Sequence, residues 1–133
     1  MTAVQVTFDC ADPPRLAAFW ASALGYVVQP PPEGYGSWPE FLREIGVPES
    51  EWDSRSACVD PEGKGPRLFF QRVPEPKAAK NRVHLDVNAG RERVDAEVER
   101  LTGEGAIVIR EHAELGERWV VMADPEGNEF CVQ

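Results

Sequence analysis

Apolar and polar residues alternate strictly near the start of the chain: Val4, Val6, Phe8 and Cys10 are separated by Gln5, Thr7 and Asp9. The same pattern returns at Val83, Leu85, Val87 and Ala89, interleaved with His84, Asp86 and Asn88. Successive side chains of a strand point to opposite faces, so each segment has one apolar face that needs cover and one polar face. In both places the spacing then turns helical. Asp12 suits an N-cap and Pro13 and Pro14 the first turn, after which Leu16, Phe19, Trp20, Ala23 and Leu24 form a stripe that Gly25 ends. In the second case the stripe is Val94, Val98 and Leu101, with Gly103 and Gly105 closing it.

Three strand candidates follow each helix. They are Tyr26 to Gln29, Arg55 to Val59 and Arg67 to Val73 in the first half, and Ala106 to Arg110, Arg118 to Ala123 and Glu129 to Gln133 in the second. Between the last two strands of each set stands the same tetrapeptide, Asp60-Pro61-Glu62-Gly63 and Asp124-Pro125-Glu126-Gly127. Pro pre-sets the second turn position and Gly supplies a positive φ, so both copies read as hairpin turns. The chain is therefore a tandem repeat of one strand-helix-strand-strand-strand module. This predicts an α+β fold of two βαβββ modules, residues 1–76 and 81–133, within one domain. Gln5 to Asp60 spans 55 positions and His84 to Asp124 spans 40, so the first module carries fifteen extra residues. They fall within Pro30 to Ser54, where Ser37-Trp38-Pro39-Glu40 fits the start of a short helix with Phe41, Leu42 and Ile45 on its apolar side. A long aromatic loop of this kind is either a binding loop or lid, or a helix filling a gap in a small core.

Composition narrows the partners. A 42% hydrophobic content provides a core, while 14 basic against 23 acidic residues, a formal net of -9, argues against nucleic acid and anionic membrane, which need basic surface. No apolar run reaches the roughly 18 residues of a membrane span, and the amino terminus shows no signal-peptide pattern. Three cysteines without paired spacing suit a reducing, cytoplasmic setting.

Several strings resemble the vicinal oxygen chelate superfamily, which includes glyoxalase I, extradiol dioxygenases and bleomycin- and fosfomycin-resistance proteins. Asp9-Cys10-Ala11-Asp12-Pro13 followed by Leu16-Ala17-Ala18-Phe19-Trp20 is similar to the opening of small glyoxalase-like domains. So are Phe69-Phe70-Gln71-Arg72-Val73-Pro74-Glu75-Pro76, Arg82-Val83-His84-Leu85-Asp86 and Asp124-Pro125-Glu126-Gly127-Asn128-Glu129-Phe130. The resemblance implies a mixed sheet curved round a cleft, helices on the convex side, a small organic ligand or substrate, and a homodimer. Metal-using members carry His or Gln, then Glu, His and Glu, on the first and last strands of the two modules. Transferred one at a time, those positions fall on Gln5, Phe69, His84 and Cys131, so both glutamates are missing.

The implied function is a metal-independent small-molecule-binding protein of the glyoxalase and bleomycin-resistance kind, without a cofactor. The alternative is a lyase, isomerase or dioxygenase, using either acid-base residues or one divalent metal such as zinc on Gln5, His84 and Cys131. A third reading is an interaction module with a vestigial cleft. His84 leads the candidates for catalysis, with Asp86 and Glu129 beside it on the polar face; a strand histidine is also often structural. For ligand binding the candidates are Gln5, Thr7, Asp9, Trp38, Arg67, Phe69, Gln71, His84 and Cys131. Arg67 and Gln71 flank Phe69 and suit an anionic or carbonyl-bearing group. Trp38, Trp52, Trp119 and Tyr35 could stack on a planar ligand or pack in the core. Cys131 doubles as a small apolar wall residue, Cys10 faces the helix, and His112 falls in a charged loop between strands.

Overall fold

The structure, a computed structural model, describes residues 2–133. The chain forms two compact units, one ending at Pro76 and the other spanning Lys77–Gln133. The first contains β1 (Val6–Cys10), α1 (Pro13–Leu24), β2 (Val27–Val28), α2 (Trp38–Glu44), β3 (Arg55–Val59) and β4 (Leu68–Arg72). The second contains β5 (Leu85–Val87), α3 (Val94–Gly103), β6 (Ile107–Glu114), β7 (Glu117–Ala123) and β8 (Glu129–Val132). The fold is α+β with two four-stranded mixed sheets.

The sheets share one topology. The first is ordered β1-β4-β3-β2 and the second β5-β8-β7-β6, each with a parallel pair joining its first and last strands. Register repeats as well: Val6 pairs with Leu68 and Thr7 with Phe69, just as Leu85 pairs with Phe130 and Asp86 with Cys131. Phe69 and Cys131 therefore occupy equivalent positions.

The α1 boundaries follow from local chemistry. The Asp12 carboxylate accepts the Arg15 N–H at 3.3 Å, prolines fill the first turn, and Gly25 closes the helix at φ +70°. Leu16, Ala17 and Trp20 are buried against Cys58, Leu68 and Phe70 of the sheet. Phe8 joins them, its ring 5.3 Å from Trp20 and 5.2 Å from Phe70. Each large side chain buried here contributes on the order of 2 kcal/mol of hydrophobic stabilisation.

In the second unit Val94 and Leu101 of α3 are buried, but Glu97 is buried more deeply than the expected Val98. Arg100 holds the Glu97 carboxylate at 2.7 Å and Arg93 at 3.3 Å, which compensates its burial. The Arg100 hydrogen bond, with the charges of Arg100 and Arg93, keeps this carboxyl below its ordinary pKa against the opposing effect of burial.

Both copies of the repeated tetrapeptide form turns. Gly63 N–H donates to the Asp60 carbonyl at 3.0 Å and Gly127 N–H to that of Asp124 at 2.9 Å, with φ of +69° and +87° at the two glycines. The Asp carboxylates also bind the turn backbone: Asp60 accepts from Glu62, Lys64 and Gly65, and Asp124 from Glu126 and Asn128.

Elsewhere the strands depart from the alternation pattern. β2 keeps only Val27 and Val28, and β5 begins at Leu85, leaving Val83 80% exposed. β6 runs to Glu114, so His112 lies within a strand, not in a loop, and its ring stacks on Trp119 at 5.0 Å. The extension is possible because Glu114 pairs with Glu117 across Leu115 and Gly116, both at positive φ (+51° and +79°). A two-residue hairpin loop of type I′ needs that conformation at both positions, and Leu-Gly carries little sequence signal for it. Among the described residues no helix is long and apolar enough to cross a membrane.

Candidate functional site

The face of the first sheet away from α1 carries the alternate residues of each strand. Thr7, Phe69 and Ala57 form one cross-strand row, and Gln29 extends it through its N–H to the Ala57 carbonyl at 2.9 Å. Over part of this face lies the segment that the second unit lacks. The Ser37 hydroxyl caps α2 by accepting the Glu40 N–H at 3.2 Å, while the Glu40 carboxylate takes the Gly36 N–H at 2.9 Å, one residue earlier than a capping box requires. No residue of α2 is buried. Its apolar side instead helps to wall a cavity of about 700 Å³, together with Trp52, Ala57 and Phe69.

Internal hydrogen bonds fix the aromatic walls. The Trp38 indole N–H donates to the Gln29 carbonyl at 2.8 Å and that of Trp52 to the Val47 carbonyl at 3.0 Å. Phe41 packs edge-on against Tyr35 and Trp38, and Arg43 lies 5.2 Å over the Trp52 ring. With their polar atoms satisfied, the indoles present apolar surface at little conformational cost.

Arg67 supplies a positive charge to the cavity lining. Its Nε donates to Gln29 Oε1 and its Nη1 to Gln5 Oε1, both at 2.8 Å, and the guanidinium lies 5.2 Å over Phe69. Of the binding candidates in this unit, Trp38, Arg67 and Phe69 line the cavity, and Gln5 touches it only through Arg67. Thr7, Asp9 and Gln71 share the face but not the cavity, and Gln71 donates to Asp9 at 2.7 Å. Sequence reasoning missed Gln29 as a site residue. Its only signal was parity with Ala57, which became visible once the β2–β3 register was known.

In the second unit His84, Asp86 and Cys131 come together, each offering one donor atom within 4.8 Å of the others. His84 Nδ1 is 3.3 Å from Asp86 Oδ1. Burial, followed by the charge of Asp86, pushes the Cys131 thiol pKa up. Glu129 is paired with Lys80 at 2.7 Å, and that hydrogen bond holds its carboxyl below the usual range. Trp119 stacks with His112, whose Nε2 accepts from Arg110 at 3.0 Å.

A family model described as a glyoxalase-like domain matches residues 5–133. The chain belongs to that family. Through it this glyoxalase-like domain is a member of the glyoxalase/bleomycin resistance/dioxygenase superfamily. No curated protein matches its sequence significantly. Among solved structures, a mutant of the fosfomycin resistance protein FosX from Listeria monocytogenes, complexed with Mn(II) and 1S,2S-dihydroxypropylphosphonic acid, is 13% identical with a TM-score of 0.67. That match covers 100% of this chain and 90% of the other. A possible glyoxalase from Bacillus cereus is 16% identical at TM-score 0.65, covering 100% and 98%. A glyoxalase/bleomycin resistance protein/dioxygenase family enzyme from Burkholderia phytofirmans PsJN is 18% identical at 0.64, covering 96% and 94%. At these identities the likeness is one of fold.

The residues of this glyoxalase-like domain do not fit the carboxylate-bearing metal site that the superfamily implies. Phe69 has no donor atom, and the Gln5 oxygen already accepts from a guanidinium whose charge opposes a dication. Cys131 stands where a carboxylate would, with its thiol held towards the protonated form. The His84, Asp86 and Cys131 cluster is a different donor set, of a chemistry that suits zinc if the thiol ionises.

Proposed function

We propose that this protein binds a small organic molecule in the cavity of its first unit, without a metal. The observation that carries the reading is the cavity itself. Its volume of about 700 Å³ falls within the few hundred to about a thousand Å³ of small-molecule sites. Its walls include Trp38, Trp52 and Phe69, and two of its polar groups, Gln29 and Arg67, are fixed by a hydrogen bond to each other. The insertion of the first module thus serves as a binding wall. The protein acts as a cytoplasmic homodimer in this reading, which light scattering of the purified chain checks.

The test is enrichment. Protein equilibrated against a small-molecule cell extract in the presence of EDTA is expected to retain one class of compound, and Trp38→Ala and Trp52→Ala to lose it. Retention that both variants share with the wild type, or that EDTA abolishes, would contradict the reading.

The second reading is an enzyme that uses His84, Asp86 and Cys131, favoured by the convergence of their three donor atoms. Without a metal, one of these side chains would take a proton from the substrate as general base; with one, the three would hold the ion, which would supply Lewis acidity. Its test is a zinc titration followed by calorimetry on wild type and His84→Ala. Stoichiometric binding lost in the variant would favour it.

A further inference from the structure

We infer that the ligand of this cavity is an anion: a carboxylate or similar oxyanion carried on a flat apolar body. The inference rests on the binding reading above and names its ligand class. The guanidinium of Arg67 lines the cavity, is only part-exposed and lies in no ion pair among the described residues; Arg55, the other arginine of the lining, also lacks an ion pair but is exposed. What distinguishes Arg67 is that it is fixed in a concave wall by neutral groups, which leaves its charge uncompensated there.

The partners Arg67 does have are neutral amides. Gln29 takes Nε–H and Gln5 takes one N–H of Nη1, leaving the second Nη1 N–H and both on Nη2 without a protein acceptor among the described residues. These donors lie in the guanidinium plane, where they can give charge-assisted hydrogen bonds to an anionic oxygen. The two glutamines and the Phe69 ring hold the fork in place, so little side-chain freedom is lost when an anion binds. The competing acids are weak rivals. Glu51 also lines the cavity but is 3.6 Å from Arg72, and Asp53 is exposed. Trp38 and Trp52 then receive the apolar body.

The test compares 2-naphthoate with 2-naphthamide, which share a ring system and differ in charge, by calorimetry on the full chain. Wild type is expected to bind the carboxylate about tenfold or more tighter than the amide, as a charge-assisted contact in a partly enclosed site requires. Arg67→Gln should lose that preference while still binding the amide, which shows that the variant is folded. Arg67→Lys should keep part of it, and Arg82→Gln, a change at an exposed arginine outside the lining, should keep all of it. Equal affinity of wild type for the two probes, or a preference that survives unchanged in Arg67→Gln, overturns the assignment of an anion to Arg67 and leaves the cavity reading standing. If neither probe shows saturable binding at millimolar concentration, the cavity reading falls and the inference with it.

Discussion

Asp60 and Asp124 are the same residue in the same tetrapeptide, yet the structure gives them different weight. Asp124 is 3% exposed, and its carboxylate accepts from the Glu126 and Asn128 backbones and from the Asn128 side chain. Removing it leaves part-buried donors without their acceptor, each costing up to roughly 1–3 kcal/mol. Asp124→Ala is therefore expected to lower stability by about 2–4 kcal/mol in urea unfolding, and Asp60→Ala by less, because Asp60 lies in a more exposed loop. A second residue-scale prediction concerns Glu97. Arg100 lowers its folded-state pKa from the ordinary 4.5, so the unfolded chain takes up the proton first as pH falls. Its contribution is complete above about pH 5 and is lost as pH falls through the lowered folded value. Glu97→Gln should flatten the acid limb of a stability-versus-pH curve below that point; an unchanged limb would mean that the ion pair does not contribute. Caps were legible in the sequence because Asp12, Ser37 and Gly25 act through their immediate neighbours. The burial of Glu97 was not, since it depends on two arginines that by themselves read as exposed helix surface.

At the scale of elements, period-two alternation located β1, whose Phe8 packs on Trp20 of α1, and the strand candidates placed after the helix match β3 and β4, which also pack on α1. It overestimated β5, where Val83 is exposed, and stopped β6 short, because a Leu-Gly turn does not announce itself. Leu115 is 97% exposed at φ +51°, a conformation that costs a branched side chain about 1 kcal/mol relative to one that tolerates it. Leu115→Asn is expected to raise the thermal midpoint by a few degrees, and a fall would show that the turn is not of this type. The segment from 30 to 54 is built differently from the strands around it. It holds α2, which buries no residue, and much of its order comes from short-range hydrogen bonds such as Trp52 to Val47. Hydrogen exchange there should be faster than in β3 and β4 and should slow when the cavity is filled; protection equal to the strands in the free protein would argue against a binding wall.

At the scale of the whole molecule, the repeat was the most legible feature, and the matching strand orders and registers of the two sheets bear it out. The site was legible only in part. Trp38, Arg67 and Phe69 could be named from parity and residue type, but the enclosing geometry depends on how the extra residues of the first module fold back over its own sheet. The two units differ in what they offer: the first an aromatic cavity with a fixed guanidinium, the second a compact set of imidazole, carboxylate and thiol. The central claim is that the first of these is the working site and that it needs no metal. Native mass spectrometry of protein isolated directly from cells, without added ions, tests this most directly because it weighs an organic adduct and a metal together. The account predicts a small organic mass that is lost in Trp38→Ala, with well under one equivalent of divalent metal. A stoichiometric metal that disappears in His84→Ala, with no organic adduct on the wild-type protein, would contradict it.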